Sequence, residues 1–130
     1  MIVLDTHTWL WWLADPGRLS GAARETIGDA RAIGISTISI WELATLARRG
    51  RIELDRDVGD WVGVALNGDQ RVETIAPDPR VALEAALLDD REFPGDPADR
   101  LIFATARSRR AALVTRDQQM RRFSPPETVW

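Results

Sequence analysis

The acidic residues best placed to do chemistry lie where short apolar segments end, and they are Asp5, Glu42, Asp99 and Asp117. Asp5 directly follows the apolar residues 1–4, and Asp117 comes two residues after the apolar segment that begins at Leu113. The carboxyl ends of parallel strands meet at one edge of a sheet, and open α/β folds bind their ligands outside that edge. We therefore expect the four carboxylates to form one cluster.

A carboxylate cluster of this kind favours a hard divalent cation, Mg²⁺ or Mn²⁺, because both prefer oxygen ligands. The chain has no cysteine and a single histidine, His7, which disfavours a zinc site. Any Ser-His-Asp catalytic triad would have to use His7. Two carboxylates about 5 Å apart repel each other by roughly 3 kcal/mol at an effective dielectric constant near 20. A bound cation would relieve that repulsion and assist the displacement of a phosphodiester without a protein nucleophile.

Each aspartate also has a structural interpretation, since Asp is a favoured helix N-cap. Asp96 is the clearest case, because Asp followed by Pro97 is typical of a helix start, and we place Asp96 outside the direct metal ligands. Asp99 lies one turn further on, where a cap is already supplied. Glu42 stands next to Trp41 in a helix predicted to be apolar around much of its circumference, so its carboxylate needs either an arginine or a cation.

The composition predicts one domain over residues 1–130, with a mass of 14.6 kDa. No apolar run approaches the roughly 20 residues of a membrane span, and we expect a cytoplasmic protein without membrane contact. The net charge of -3 argues against a general nucleic-acid binder. Two bound divalent cations, however, would bring that charge to about +1.

Short apolar strands alternate with helical patterns along the whole chain. Strands are predicted at 2–4, 32–36, 72–75 and 112–115, with a further edge strand at 128–130. Helices are predicted at 6–14, 21–29, 37–48, 56–66, 79–88 and 97–110, with a short one after 117. This alternation is typical of an α/β domain with a mostly parallel sheet of four to five short strands flanked by helices.

All 17 basic residues are arginines, which bind phosphate in a bidentate manner better than lysines do. Two groups could form a phosphate-binding rim or simply be solvated helix ends: Arg48, Arg49 and Arg51, and Arg107, Arg109, Arg110 and Arg116. Trp9, Trp12 and Leu13 share one face of the first helix and are interpreted as core or partner interface. His7 is interpreted as a surface residue at a helix start.

Four ordered motifs resemble the PIN-domain family and, more closely, the VapC toxins of bacterial toxin-antitoxin pairs. They are Val3–His7, Ser36–Glu42, Gly95–Ala106 and Leu113–Asp117, and together they span nearly the whole chain. The resemblance implies a PIN-like fold and a metal-dependent endoribonuclease. It also implies inhibition by a VapB-type antitoxin and formation of a homodimer.

The resemblance also implies roles for individual residues. Asp5, Glu42 and Asp99 match the core acids of the family, and Asp117 matches its more variable fourth acid. Thr115 matches a position whose hydroxyl often supports the site. Supporting or substrate-contacting roles are expected for Thr6, Asp96, Thr115 and Arg116.

Two other functions remain open at this point. A phosphotransfer domain, either a phosphatase or a response-regulator receiver, also places an aspartate at the end of its first strand. Both usually require a lysine, which this chain lacks, and the phosphatase would need an acid where His7 stands. A PIN-like module that binds RNA or a partner without cutting is the second alternative, and the intact acids argue against it.

Overall fold

The computed structural model describes residues 1–130, which form a five-stranded sheet flanked by helices. The strands are β1 (Ile2–Leu4), β2 (Ile33–Ser36), β3 (Val72–Ile75), β4 (Ala112–Val114) and β5 (Thr128–Val129). Every neighbouring pair is parallel, and the sheet order is β3-β2-β1-β4-β5. The predicted parallel α/β class is confirmed, including the edge strand near the carboxyl terminus.

The strand order creates a topological switch point between β1 and β4. From β1 the chain builds outward to β2 and β3, and it then returns to add β4 and β5 on the other side. Ligands of open α/β sheets bind in the crevice that such a switch point opens at the carboxyl ends of the strands. The order also differs from the 2-1-3-4-5 order of receiver domains, which counts against the receiver alternative.

Helices connect the strands. They are α1 (Thr6–Ala14), α2 (Gly21–Asp29), α3 (Thr37–Arg48), α4 (Val58–Asn67), α5 (Pro79–Ala86), α6 (Pro97–Ser108) and α7 (Gln118–Phe123). Several begin at a side chain that accepts a hydrogen bond from a backbone amide of the first turn, as Ser20 does for α2 and Asp78 for α5. The predicted bounds agree closely except that α4 starts at Val58, after its cap Asp57, α5 ends at Ala86 and α6 ends at Ser108.

The core lies on both faces of the sheet. Ile2 and Leu4 point into a cluster with Trp9 and other residues from the helices α1 to α4. Val3 points to the opposite face, where it packs with residues of α6 and α7. Gly34 allows close packing on this second face, because a Cβ there would lie 2.6 Å from Cδ1 of Ile75 and that side chain would have to move. The two packed faces hold the strand ends at a fixed place.

The solvent exposure of the Trp41 indole differs from what the apolar pattern of the helix suggests. Trp41 is 62% exposed, so α3 presents this residue to solvent and the argument that Trp41 helps to bury Glu42 is wrong. Trp9 of α1 is fully buried, whereas Leu13 on the same helical face is exposed. None of the helices has the length and hydropathy needed to cross a membrane.

Candidate metal centre

The register of the two central strands places Asp5 beside Thr115. Leu4 of β1 pairs with Val114 of β4, so the residues that follow, Asp5 and Thr115, are neighbours at the carboxyl edge. The Thr115 hydroxyl donates a 2.7 Å hydrogen bond to Oδ2 of Asp5, and the Thr6 amide donates a 2.8 Å hydrogen bond to Oδ1. The Asp5 carboxylate is thus buried and held in one orientation by both of its oxygens.

Glu42 and Asp99 approach Asp5 from two helices. Glu42 lies on α3, which begins directly after β2, and Asp99 lies in the first turn of α6. One carboxylate oxygen from each of the three residues lies within 4.8 Å of the others. Three segments that are distant in sequence therefore place their carboxylates around one point above the sheet.

Asp99 carries the strongest electrostatic signature of the site. Burial and the charges of neighbouring carboxylates, with Asp5 contributing most among them, raise the pKa of Asp99 to about 8. An isolated aspartate has a pKa near 3.9, so the ionised form of Asp99 is strongly disfavoured where it stands. A cation at this point would favour the ionised carboxylate and so oppose the rise in the pKa of Asp99.

The pKa values of Asp5 and Glu42 are raised as well. Burial raises the pKa of Asp5, and the hydrogen bonds from Thr115 and Thr6 oppose that rise only in part. Burial also raises the pKa of Glu42, and the charge of Asp5 adds to it. The Thr6 hydroxyl lies near Glu42 and partly offsets the rise, but it makes no hydrogen bond of normal geometry and its buried oxygen has no other partner.

None of the three acids is neutralised by an arginine. The ion pairs of the chain all join other residues, so the arginine alternative for Glu42 is excluded. A carboxylate that is partly removed from water without a counter-charge is costly. Three convergent oxygen donors with raised pKa values and no ion-pair partner fit a hard divalent cation.

Asp96 and Asp117 lie at the edge of this group and cap helices. Asp96 accepts a 2.9 Å hydrogen bond from the Asp99 amide at the start of α6. Asp117 accepts a 2.9 Å hydrogen bond from the Met120 amide at the start of α7. Asp117 is not one of the three residues whose carboxylate oxygens lie within 4.8 Å of one another. Its charge nevertheless contributes to the raised pKa values of Asp5 and Asp99.

The acids line an open groove of about 700 Å³, which basic and aromatic residues also line. These residues are His7, Trp11, Arg18, Arg51 and Arg116. Sequence reasoning missed Arg18 and Trp11 as groove residues, because no local pattern marks them.

Of the arginines considered for a phosphate-binding rim, only Arg51 and Arg116 line this groove. Arg107 pairs with Glu127 and Glu84, and its guanidinium lies 4.7 Å from the Phe103 ring centroid. Arg109 and Arg110 follow the last turn of α6, at the end of that helix opposite to Asp99. Arg107 therefore fits neither of the two alternatives, whereas the exposed Arg109 and Arg110 are solvated residues at a helix end.

Comparisons with known proteins agree with this geometry. The chain is 43% identical to Ribonuclease VapC22 of Mycobacterium tuberculosis, over 99% of this chain and 98% of that protein. Its fold is similar to that of a toxin-antitoxin complex from Klebsiella pneumoniae, with a TM-score of 0.70, 19% identity, and coverage of 100% of this chain and 97% of the other.

A second solved structure has the same fold. It is VapC20 of Mycobacterium tuberculosis, described as a Sarcin-Ricin loop cleaving toxin, with a TM-score of 0.65, 17% identity and 92% coverage of both chains. The family model of the PIN domain matches residues 2–124. The chain therefore belongs to the PIN-domain family, among its VapC-type members.

Proposed function

We propose that this protein is a metal-dependent endoribonuclease and the toxin of a toxin-antitoxin pair. The observation that carries the proposal is the convergence of Asp5, Glu42 and Asp99 within 4.8 Å at the switch point of the sheet, without an ion-pair partner. The family, and the 43% identity to a protein named as a ribonuclease, support the same reaction class.

The residues have distinct roles in this proposal. Asp5, Glu42 and Asp99 hold the ion, and Asp117 at the groove edge adds negative charge and orients the attacking water. Thr115 and Thr6 keep the Asp5 carboxylate aimed at the ion through their hydrogen bonds. Mg²⁺ or Mn²⁺ would supply Lewis acidity there, lowering the pKa of the attacking water and neutralising charge that develops on the phosphate.

The proposed protein partner is a VapB-type antitoxin. Three carboxylates in an open groove form a receptor for a guanidinium, which binds carboxylates through charge-assisted and often bidentate hydrogen bonds. An antitoxin arginine inserted among Asp5, Glu42 and Asp99 would neutralise the cluster and occupy the place of the cation. Inhibition would then need no change in the toxin fold.

A second copy of the chain is the other proposed partner. The helices α3 and α5 both pack against α6. Trp41 on α3, Leu83 on α5 and Leu87 directly after α5 are exposed. Exposed large apolar side chains of this kind are what a homodimer would cover. Sedimentation measurements on the wild type and on Leu87→Glu test this assembly.

Cleavage of RNA in defined metal conditions tests the proposed function. The wild type should cut RNA in Mg²⁺ or Mn²⁺, stop in chelator, and recover when the ion is restored. Asp99→Asn should lose cleavage while it remains folded. The control Asp29→Asn, at an exposed position on α2, should cut like the wild type.

Expression without the antitoxin extends this test to cells. The wild type should arrest growth, whereas folded Asp5→Ala and Asp99→Ala should not. Equal arrest by folded wild type and Asp99→Ala would refute the nuclease mechanism, because arrest would then result from binding. RNA that is retained but never cut in Mg²⁺ or Mn²⁺ would instead identify a binding module.

A further inference from the structure

We infer that Arg18 and Arg116, both stacked against the indole of Trp11, hold a phosphate of the RNA backbone. This phosphate neighbours the one that is cleaved at the acid cluster. The inference rests on the proposed ribonuclease function and names the part of the groove that positions its substrate. Both arginines line the same groove as Asp5, Glu42 and Asp99.

The Trp11 indole orders both guanidinium groups. The Cζ atom of Arg18 lies 4.5 Å from the centroid of the indole, and that of Arg116 lies 5.7 Å from it. The indole is itself fixed, because Trp11 is buried and its ring packs edge-on at 5.9 Å from the ring of Trp130. Cation-π contact orients a guanidinium without neutralising it.

The charges of Arg18 and Arg116 therefore remain available. The arginines that form ion pairs within the chain are Arg56, Arg71, Arg100 and Arg107. Arg18 and Arg116 lie in a groove with several carboxylates, yet neither forms an ion pair with one. An oriented guanidinium with unused donors is a receptor for a phosphate, which it can bind in a bidentate manner.

Position and net charge indicate that this phosphate belongs to the substrate. Arg116 lies between Thr115, which bonds to Asp5, and Asp117, so it is tied to the site by its immediate neighbours. The chain as a whole carries a charge of -3 and does not attract RNA in general. Local cations beside the acids are then needed to offset the repulsion between the groove and the RNA backbone.

Contacts to phosphate set the position of a nucleic acid but do not read its sequence. Losing Arg18 or Arg116 should therefore weaken binding equally for RNAs of different sequence. Arg51 also lines the groove, but no aromatic ring orders it, and we assign it no such contact.

Binding of two labelled single-stranded RNAs, an oligouridine and a mixed-sequence oligonucleotide, tests the inference by fluorescence anisotropy. All variants are made in an Asp99→Asn parent, which removes cleavage. Arg18→Gln and Arg116→Gln should each weaken binding of both RNAs by about tenfold. Each should also lower the slope of log Kd against log salt by about 0.7, the value for one lost contact to a single strand.

Two further variants separate a placed contact from general charge. Arg24→Gln removes an exposed arginine of α2 that does not line the groove, and it should bind both RNAs like the parent. Arg116→Lys keeps the charge but loses the planar stack, so it should retain the salt slope and still bind more weakly than the parent.

The outcomes distinguish this inference from the function on which it rests. If the parent binds RNA and both glutamine variants match Arg24→Gln in affinity and slope, the inference is wrong while the proposed function stands. The same holds if these variants lose binding to the antitoxin alone, or to only one of the two RNAs. If the wild type does not cut RNA and the parent does not bind it, the proposed function fails and the inference fails with it.

Discussion

The Thr115 hydroxyl and the Asp5 carboxylate are joined by a 2.7 Å hydrogen bond between residues that lie 110 positions apart in sequence. The same hydroxyl oxygen accepts a 3.0 Å hydrogen bond from the Asp117 amide. One side chain that follows the strand β4 therefore links the buried acid after β1 to the cap of α7. The hydrogen bond to Asp5 also lowers the pKa of that carboxyl against the effect of burial.

Replacing Thr115 by valine should weaken the metal site as well as the fold. The variant keeps the shape but leaves the buried Oδ2 of Asp5 without its donor, and we expect a loss of about 1–3 kcal/mol in the free energy of unfolding. The pKa of Asp5 should rise further, so the proton should compete more strongly with a cation for this carboxylate. Urea unfolding and calorimetric titration measure both. Thr115→Ser, which keeps the hydroxyl, should resemble the wild type, and equal behaviour of the two variants would contradict the role of the hydrogen bond.

Cation binding should raise the melting temperature, since an ion that binds only the native state stabilises it. Asp5→Asn and Asp99→Asn should abolish most of the response to Mn²⁺, because both remove a member of the 4.8 Å cluster. Asp117→Asn should have a smaller effect, since Asp117 lies outside that cluster and asparagine can still cap α7. An unchanged response in Asp5→Asn would place the ion elsewhere.

The raised pKa of Asp99 predicts how stability depends on pH when no cation is bound. The folded pKa of about 8 lies above the unfolded value near 3.9, so the folded state binds the proton more tightly. The contribution to stability is fully present below pH 4 and is lost as pH rises through about 8. Asp99→Asn should flatten this part of the profile and be no less stable than the wild type in chelator near pH 8.

The same shift makes cation binding depend on pH. Ions compete with the proton on Asp99, so the affinity for Mn²⁺ should increase between pH 6 and pH 8, with release of protons on binding. Titration calorimetry in buffers of different ionisation enthalpy measures that release. Asp29→Asn, which changes an exposed acid on α2, should leave both the stability profile and the proton release as in the wild type.

Arg100 should be the least replaceable arginine of the chain. Its guanidinium donates to the backbone carbonyls of Ala85, Leu88, Phe93 and Gly95, and it also pairs with Asp90. These bonds hold the loop before α6, where a Cβ on Gly95 would lie 3.1 Å from the Cβ of Asp99.

Lysine cannot reproduce the planar fork of Arg100. Arg100→Lys should therefore lose about 2–4 kcal/mol of unfolding free energy and weaken cation binding through Asp99. Arg91→Lys, at an exposed position in the same loop, is the matched control and should change neither. If the two variants are equally stable, the loop does not depend on the Arg100 hydrogen bonds.

Much of the secondary structure is predictable from the sequence because its signals are local. Ser20, Asp78 and Asp96 each accept a hydrogen bond from an amide a few residues ahead, and the sequence contains both partners of that bond. Short apolar runs likewise predict the ends of β1 and β4, which lie directly before Asp5 and Thr115. Local patterns are therefore sufficient to predict the α/β class.

Exposure is harder to predict, because hydropathy and charge do not say which helix covers which face. The predictions for the indole of Trp41 and the guanidinium of Arg107 are wrong for this reason. Trp41 lies on the solvent side of α3, and Arg107 meets Glu127 from a distant segment. The places of Trp11 and Arg18 in the groove likewise depend on packing that no local pattern encodes.

The sequence by itself determined which residues carry the chemistry, since a chain with no cysteine and one histidine leaves only carboxylates to bind a cation. The tertiary structure decided which carboxylates share a site. The register of β1 with β4 brought Asp5 to Thr115, and the placement of α3 and α6 brought Glu42 and Asp99 to within 4.8 Å. Such proximity depends on packing between segments far apart in sequence, and burial then supplies the low dielectric that raises the pKa of Asp99.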